Sequence, residues 1–519
     1  MDNTDQGSGS SGHICRVGKF NHVPLLFTIA IYRLTLHPLA SLPGPVWGKI
    51  TDWYSVYHCI QRDRHLNFHR LHLKYGPVVR YGPNRVSVNS ASALPTIYGV
   101  QANTQKSKWY TVWKSFYKMD MSMSMIDKKQ HAVRRRIVTR AIKSLPIKEI
   151  ERKILRNFAA LRIKLVDDES TKGWSPPRNM TTLVAYCFSD IMGETTFSKS
   201  WDLQKSEENR SIYHILPQGI AGLSLVGHIP ALIKLGILQI LRPDLVRDTF
   251  RYEALSSKIS EWRMSQNDKK MQDFYGSLLK ATDPETGRKL SKDELAAESA
   301  LLIVAGSDTM ATAVTCAIFY LLHYPDTLVQ LQKEIRSTFQ SIDDVVIGPE
   351  LKSCLYLTAC IDESMRLTPG VGAVVQREVL PGGLQVDGQF FPPGTDLAVP
   401  HYALHHNENY HSEPHKFIPE RWIVGGSRTE DDVAVTKSAY SPYGVGRTSC
   451  VGKDLSYQEM GLILARIIWL FDMRLAPGTA TGGGNESLGT GRTRCEEFQT
   501  WDSFVSIHDG PMVQFRSRK

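Results

Sequence analysis

Residues 443–452 form a glycine-rich loop that carries one cysteine and leads into an apolar helical pattern: Tyr443-Gly444-Val445-Gly446-Arg447-Thr448-Ser449-Cys450-Val451-Gly452. Unpaired N–H groups and the helix dipole at such a position favour a thiolate. The flanking glycines let the backbone approach a flat, bulky group, and a thiolate is also a ligand of haem iron. A small buried cysteine in a tight turn is the alternative for this loop taken alone.

Two further motifs place arginines near a carboxylate. Glu363 and Arg366 stand three residues apart and therefore share one face of a predicted helix over 351–367. Arg421 follows in the stretch Phe417-Ile418-Pro419-Glu420-Arg421-Trp422. A surface ion pair is the common alternative for a single Glu-x-x-Arg.

The longest helical pattern begins at Ser291 with a capping-box stretch and runs to Tyr324, where Pro325 stops it. Its 34 residues correspond to about 50 Å of helix, so we expect it to cross the middle of a domain. The stretch Ala305-Gly306-Ser307-Asp308-Thr309 interrupts this pattern with residues that weaken a helix interior. An alcohol next to an acid there can bind a diatomic ligand and relay protons, and a packing kink is the alternative.

Shorter patterns surround these motifs. The stretch Val78–Val88 predicts a β-hairpin around Gly82-Pro83-Asn84. Asp127–Lys143 predicts a basic helix, and Ser503–Arg516 predicts a last hairpin around Asp509-Gly510-Pro511. The order is helix-rich with small sheets, which favours one large domain.

Taken together and in this order, the three motifs resemble those of the cytochrome P450 family of haem-thiolate monooxygenases. The resemblance covers about residues 38–516 and is closest to microsomal-type fungal members of secondary metabolism, through His37-Pro38-Leu39 and Tyr75-Gly76-Pro77 among other features. It implies a mainly α fold with small β-sheets, in which a single large catalytic domain surrounds a long central helix.

The resemblance also implies a role for individual residues. Cys450 matches the axial thiolate ligand of haem b, Thr309 the alcohol beside bound dioxygen, and Asp308 the acid of the proton path. The other residues expected to bind the cofactor are His131, Arg135, Arg377, Arg447, Gly446 and Gly452. The residues expected to form a structural ion-pair network are Glu363, Arg366 and Arg421. The residues expected to line the substrate pocket are Ala305, Gly306, Val371, Ala373 and Val374.

Three positions depart from the family pattern. The family usually has arginine two residues before the cysteine, where this chain has Thr448, with Arg447 one place earlier. Tyr443 stands where phenylalanine is usual, and Met310 follows Thr309 where a second hydroxyl residue is common. The shifted spacing leaves the role of Arg447 towards the haem propionates open.

The N-terminal residues raise the question of a membrane anchor. The first 19 residues are polar and rich in glycine and serine, which is typical of disorder. The apolar stretch that follows has a clean part of only ten residues, Val23–Tyr32, whereas a span needs about 20; a buried or interfacial segment is the alternative to a short anchor. The predicted division is a disordered segment (1–19), a short membrane anchor (20–36), a Pro/Gly hinge (37–48) and the catalytic domain (49–519).

Composition limits the class of protein further. Of 519 residues, 42% are apolar and 22% charged, which argues against collagen-like, wholly disordered and polytopic membrane proteins. The net charge, 62 − 52 = +10, is spread out and favours an acidic partner or a membrane surface. The run Arg134-Arg135-Arg136 lacks interleaved aromatic residues, so no nucleic-acid binding is expected.

The spacing of cysteine and histidine residues indicates whether a metal site other than that of Cys450 is expected. None of the eight cysteines forms a Cys-x-x-Cys pair, which argues against zinc ribbons and a disulfide scaffold. No histidine pair in the segment 401–415 comes with a matching acid on a regular helix, so we interpret this histidine cluster as structural and expect no second metal. Its members are His401, His405, His406, His411 and His415.

The function implied by the resemblance is oxidation of a small apolar secondary metabolite (a polyketide, terpenoid or alkaloid) by dioxygen. No flavin or nicotinamide fingerprint is present, so a separate NADPH-cytochrome P450 reductase is expected, at the cytosolic face of the endoplasmic reticulum membrane. The alternatives are a haem-thiolate isomerase or dehydratase without a reductase, and a non-catalytic haem sensor. Asp308 and Thr309 favour the monooxygenase, because isomerase chemistry does not need an acid–alcohol pair.

Overall fold

The computed structural model describes residues 22–115, 117, 119–166, 173–210, 213, 222, 224–266, 271–426 and 428–518. The predicted disordered segment 1–19 lies outside the described residues. Among the described residues the α-helices are α1 (His22–Thr35), α2 (Val46–Ile50), α3 (Trp53–Ile60), α4 (Arg64–Tyr75), α5 (Ala93–Tyr98), α6 (Lys128–Lys143), α7 (Ile147–Leu165), α8 (Met180–Phe197), α9 (Ala231–Lys234), α10 (Ile237–Leu241), α11 (Pro243–Ser265), α12 (Phe274–Lys280), α13 (Lys292–Ala305), α14 (Asp308–His323), α15 (Pro325–Thr338), α16 (Pro349–Ser353), α17 (Leu355–Leu367), α18 (His401–His405), α19 (Glu430–Ser438) and α20 (Lys453–Leu470).

Small sheets accompany the helices, as the sequence predicts. The strands are β1 (Val78–Gly82), β2 (Arg85–Val88), β3 (Thr104–Lys106), β4 (Arg178–Asn179), β5 (Arg377–Val379), β6 (Leu384–Val386), β7 (Gln389–Phe391), β8 (Asp396–Ala398), β9 (Phe471–Leu475), β10 (Trp501–Ser503), β11 (Val505–Ile507) and β12 (Met512–Ser517). They form a five-stranded sheet ordered β1-β2-β8-β5-β3, a three-stranded sheet β4-β12-β9 and two two-stranded sheets. The largest apolar core lies among α7, α8, α14, α15, α17 and α20.

The two predicted hairpins have different outcomes. β1 pairs with β2 in antiparallel register, which confirms the first one. The last one is wrong, because β11 pairs with β10 across Phe504, while β12 pairs with β9 and β4. The turn residues around Asp509-Gly510-Pro511 therefore join two different sheets; local turn chemistry predicts a change of direction but does not identify the partner strand.

The long central helix is divided into α13 and α14. Ser291 caps α13 with the predicted capping box, but regular helix stops at Ala305 and resumes at Asp308. Ser307 Oγ donates to the Ile303 carbonyl (2.7 Å), in the back-bonding typical of a bend. At Gly306 an added Cβ would lie 2.4 Å from Met192 Sδ, so α8 packs closely here and any larger residue would displace the Met192 side chain.

Hydropathy alone would also admit this pair of helices as a membrane span. The run Lys292–His323 is long and apolar enough, but 67% of its most apolar window is buried inside the protein. Burial of this kind is typical of a core helix, as the sequence analysis expects for this segment.

Helix α1 lies within the predicted anchor segment. Its 14 residues extend about 21 Å, less than the 30 Å hydrocarbon thickness of a bilayer. Leu25, Leu26 and Phe27 expose more than half of their surface, and Arg33 ties the helix to the body by donating to the Ile50 carbonyl. The division of the chain at 20–36 and 37–48 stays a prediction.

A buried carboxylate, that of Glu363 on α17, joins this helix to the segment 418–422. Arg366 donates to both of its oxygens (2.9 and 2.8 Å), and Arg421 Nε donates to Oε1 (2.9 Å). Trp422 Nε1 and the Ile418 amide donate to the same carboxylate, each at 3.0 Å. Burial alone would raise the pKa of Glu363, but Arg366 and Arg421 hold it below its ordinary value.

Replacing Glu363 with glutamine tests whether this network is structural. Glu363→Gln leaves two buried guanidinium groups without a counter-charge, so we expect a loss of about 3–5 kcal/mol in the free energy of unfolding. Urea unfolding and the yield of soluble, haem-loaded protein measure the effect.

Glu413→Gln is the matched control, because Glu413 is exposed and pairs with the exposed Lys416. It should change the free energy of unfolding by less than about 0.5 kcal/mol. Equal stability of the two variants would contradict a structural role for Glu363.

Candidate functional site

The cysteine loop folds back on itself just before α20. The Cys450 amide donates to the Tyr443 carbonyl (2.8 Å), which closes the loop. Gly446 has a φ of 70°, and an added Cβ would lie 1.9 Å from the Tyr98 carbonyl oxygen, so only glycine fits. Gly452 lies two residues after the cysteine, and a Cβ added to it would lie 3.9 Å from Cys450 Sγ.

The Cys450 thiol differs from the structural cysteines of the core. Cys187, Cys316, Cys354 and Cys360 are buried, whereas Cys450 is exposed at the surface of the loop. Desolvation by the surrounding protein raises the pKa of the Cys450 thiol, and the Gly452 amide and the Arg135 guanidinium lower it. The net effect is a pKa above the ordinary value, so the thiolate, the form that binds a metal, is stabilised only in part before the metal is bound.

Helix α6 brings a second predicted residue to this loop. Arg135 donates from Nη1 to the Ser449 carbonyl (2.5 Å), directly before the cysteine. The neighbouring Arg134 points into the core instead, where it pairs with Glu294 (2.5 Å) and Glu298 (2.8 Å) of α13. One helix therefore fixes the cysteine loop and the central helix relative to each other.

Four basic side chains meet beside the cysteine loop. Burial and then Lys106, Arg135 and Arg377 lower the pKa of His131 to about 3. Burial and the Arg377 guanidinium lower the pKa of Lys106 to about 7. Repulsion among partly buried cations is unfavourable, so the cluster is suited to carboxylates that would bind between them.

Lys106 is the member of this cluster that the sequence analysis misses. It ends the short strand β3, which pairs with β5 so that Lys106 faces Arg377. A single lysine in an irregular stretch gives no signal of its own, and only the pairing of two distant strands shows its neighbours. Its Nζ donates to the Ser122 carbonyl (2.7 Å).

Arg447 and its neighbour Thr448 make different contacts in the cysteine loop. Arg447 is exposed and donates from Nε to the Val100 carbonyl (2.8 Å). Thr448, in the place where the family usually has arginine, accepts a hydrogen bond from Arg377 Nη2 (2.6 Å). The hydroxyl therefore orients Arg377, and a cofactor-binding role for Arg447 stays a prediction.

Asp308 and Thr309 lie at the start of α14. Burial raises the pKa of Asp308 to about 6, close to neutral pH. Thr309 Oγ1 donates to the Ala305 carbonyl (2.8 Å), which is the bond of a helix kink. Gly370 packs against Thr309, because an added Cβ there would lie 3.6 Å from Thr309 Cβ.

The predicted pocket residues fall into two groups. Ala305 is exposed at the end of α13, and Val371 is half-buried. Ala373 and Val374 are instead buried in an apolar cluster with Phe68, so they face packed protein. The chain from Gly370 to Val374 has no regular secondary structure, and the next strand, β5, starts at Arg377.

The β10–β11 hairpin is a neighbour that the sequence analysis does not identify. The Ser506 amide donates to the Gly370 carbonyl (2.9 Å), and Ser506 Oγ donates to the Pro369 carbonyl (2.8 Å). Phe504, at the tip of the hairpin, stacks on Trp109 with ring centroids 5.5 Å apart. The hairpin thereby holds the chain that packs against Thr309.

Known proteins match both the sequence and this architecture. The family model described as Cytochrome P450 matches residues 40–490. The chain belongs to the cytochrome P450 family. The cytochrome P450 monooxygenase apf7 of Gibberella fujikuroi is 36% identical over 520 residues, covering 95% of this chain and 96% of the relative. The cytochrome P450 monooxygenase AKT7 of Alternaria alternata is 34% identical, covering 94% of each chain.

A solved structure shares the fold of this cytochrome P450. The crystal structure of the cytochrome P450DA haem domain matches with a TM-score of 0.71 at 16% identity and covers 92% of this chain and 98% of that one. The match confirms the mainly α, single-domain fold, and the relatives confirm an oxidoreductase of the monooxygenase type.

The residues present fit the haem that the family implies. An exposed thiol, a loop in which Gly446 admits no side chain, and a cluster of cations that repel one another lie next to each other. Cys450 would hold the iron, while Arg135, Arg377 and Lys106 would pair with the two propionate groups and the neutral His131 would donate a hydrogen bond to one of them.

Replacing Lys106 tests whether the cationic cluster holds the cofactor. Lys106→Met removes one charge-assisted hydrogen bond, so we expect haem to dissociate about tenfold faster. Transfer of haem to an excess of a haem-scavenging apoprotein measures the rate. Lys108→Met is the control, because Lys108 is 80% exposed and pairs with Glu378; equal rates in both variants would contradict the assignment.

Proposed function

We propose that this cytochrome P450 oxidises a small apolar secondary metabolite, with haem b bound through Cys450 and electrons from a separate NADPH-dependent reductase. The cationic cluster beside the cysteine loop is the observation that carries the cofactor assignment. We place the enzyme at the cytosolic face of the endoplasmic reticulum membrane, and the exposed apolar residues of α1 support this location.

The protein supplies positioning and proton control around its cofactor. When bound, the haem with its thiolate ligand activates dioxygen, so that one oxygen atom is inserted into the substrate. Burial raises the pKa of Cys450 above its ordinary value, and the Gly452 amide and Arg135 partly offset this effect; binding of the iron would complete the deprotonation of the thiol. Asp308 and Thr309 lie one residue apart at the kink, where they can hold and pass a proton.

Asp308 is suited to transfer protons near neutral pH. Because burial raises its pKa to about 6, both the protonated and the ionised form are accessible under working conditions. The Thr309 hydroxyl donates to the Ala305 carbonyl at rest and keeps lone pairs that accept a proton from a neighbour. Rotation of the hydroxyl would then aim its proton into the site.

The variant Thr309→Ala distinguishes proton delivery from a purely structural kink. We expect nearly unchanged haem content and substrate affinity, but more of the NADPH consumed should appear as hydrogen peroxide and less as product. The ratio of product to NADPH measures this coupling. Thr309→Ser restores the hydroxyl and should recover part of the coupling. An unchanged ratio of product to NADPH in Thr309→Ala would contradict proton delivery and leave Thr309 with a structural role in the helix kink.

The exposed face of α6 is the proposed docking surface for the reductase. Lys129 and Arg140 are exposed, whereas Lys128 donates to the Ala102 carbonyl (3.3 Å) and is half-buried. Arg135, on the same helix, contacts the cysteine loop, so a partner bound to this face would be close to Cys450. The basic face is suited to an acidic partner surface.

Charge reversal on α6 tests this docking surface. Lys129→Glu with Arg140→Glu should lower turnover at limiting reductase about tenfold, mainly through slower association, and should change its salt dependence. Lys333→Glu with Lys352→Glu is the matched control, with two exposed lysines on other helices. If both double variants retain parental turnover and salt response, reductase docks elsewhere.

The substrate class is tested by product formation in cells. Yeast that expresses the full chain with a reductase would be fed apolar polyketide, terpenoid and alkaloid intermediates, and products identified by mass spectrometry. A product heavier by one oxygen atom that requires NADPH supports the proposal. Turnover without NADPH, or conversion of none of these classes, would contradict it.

A further inference from the structure

The histidine-rich segment 401–415 brings two imidazoles to one carboxylate. His406, His415 and Glu497 each offer one ligand atom, and these atoms lie within 4.8 Å of one another. The acid that no local spacing supplies comes from far downstream, after the glycine-rich stretch 478–493. His401 and His405 use their Nδ1 atoms on the Val371 and Arg366 carbonyls and are not part of this group.

The hydrogen bonds of His406 fix which nitrogen is free. Its Nδ1 donates to the Tyr402 carbonyl (2.8 Å), so Nε2 carries the lone pair. The residue is 2% exposed, and its Nε2 has no hydrogen-bond partner among the described residues. An unpartnered buried ring nitrogen is unfavourable, so the lone pair of Nε2 is available to a ligand.

The carboxylate of Glu497 has one oxygen held and one oxygen facing the histidines. The Tyr402 hydroxyl donates to Oε1. Oε2 lies 3.7 Å from His415 Nδ1, too far for a hydrogen bond, and 3.3 Å from Arg494 Nη1. Arg494 is half-exposed and can turn towards solvent, whereas Glu497 is buried.

Tyr402 links two of the three groups. It accepts from His406 through its carbonyl and donates to Glu497 through its hydroxyl. Metal-binding histidines and carboxylates are usually oriented by such outer hydrogen bonds, which fix the tautomer and the direction of the lone pair. An ion pair between His415 and Glu497 would leave His406 Nε2 without a partner. A metal ion would bind all three groups.

We propose that His406, His415 and Glu497 bind one zinc ion. Two imidazoles and a carboxylate are a common zinc ligand set, with bonds of about 2.0–2.2 Å. Tetrahedral bonds of that length put ligand atoms about 3.4 Å apart, so a closure of little more than 1 Å from the present spacing suffices. His69 of α4 packs edge-on against both histidines, with ring centroids 5.9 and 5.8 Å away, and a turn of its ring would supply the fourth ligand.

A metal at this position would tie three separate parts of the chain together. His69 belongs to α4, His406 and His415 flank the loop after α18, and Glu497 ends the long irregular stretch before β10. Because that stretch has little regular structure to hold it, the zinc ion would serve as a structural staple rather than as part of the oxidation chemistry. The expected consequence is a zinc-dependent unfolding temperature.

Zinc binding can be measured on the full, haem-loaded protein. Purified protein is dialysed against zinc, freed of weakly bound metal on a chelating resin and analysed for iron and zinc by mass spectrometry. We expect one zinc per chain beyond the haem iron, and a lower thermal unfolding midpoint after treatment with a strong chelator.

Two variants and one control locate the site. His415→Gln removes a ligand that is 24% exposed, and Glu497→Gln removes the acid; each should lower zinc affinity at least about tenfold. His323→Gln makes the same change at a histidine on α14 and should bind zinc like the parent. The reduced, carbon monoxide-bound spectrum verifies that each variant is folded around its haem.

The proposal is overturned by either of two results. The parent protein holds no zinc after the resin treatment, or it holds zinc that both His415→Gln and Glu497→Gln retain with parental affinity. Zinc lost from Glu497→Gln alone among folded variants still supports the site, so a misfolded His415→Gln leaves the test intact.

Discussion

The carboxylate of Glu363 is the point on which the arrangement around the cysteine loop depends. It is fully buried and accepts hydrogen bonds from two guanidinium groups, an indole and an amide. The remaining N–H groups of Arg366 bind the carbonyls of His405, Pro414 and Lys416. One charged cluster therefore fixes a segment without regular structure, because each buried charge must be satisfied.

From this cluster the constraint extends to the cysteine loop through short polar links. The Ser441 amide donates to His405 Nε2 (3.2 Å), two residues before Tyr443. The Tyr440 hydroxyl donates to Asp362 (2.9 Å), the residue next to Glu363 on α17. The approach to the glycine-rich loop is thus held at two points, and the loop is closed by its own bond from the Cys450 amide to the Tyr443 carbonyl and fixed by Arg135 and Arg377.

The sequence predicts those site residues that belong to short motifs, and it misses those whose neighbours come from distant parts of the chain. Cys450, Glu363 and Thr309 sit in short contiguous motifs, so their chemistry and order are readable from the chain, and the family comparison confirms the fold they imply. Lys106 and Glu497 give no local signal, since each acquires its neighbours only through strand pairing or a long irregular connection. The last hairpin fails for the same reason: turn residues mark a change of direction, and the partner strand is chosen by burial.

The basic helix α6 shows how one run of like charges can have three separate roles. Successive residues on a helix point about 100° apart, so Arg134, Arg135 and Arg136 cannot share one face. Arg134 pairs with α13 in the core, Arg135 binds the Ser449 carbonyl, and Arg136 pairs with Asp283 (2.8 Å). Each guanidinium is thereby bound within the protein, so the three charges do not present one common basic surface. The exposed charges of this helix, such as Lys129 and Arg140, lie near its two ends, where they can contact another molecule.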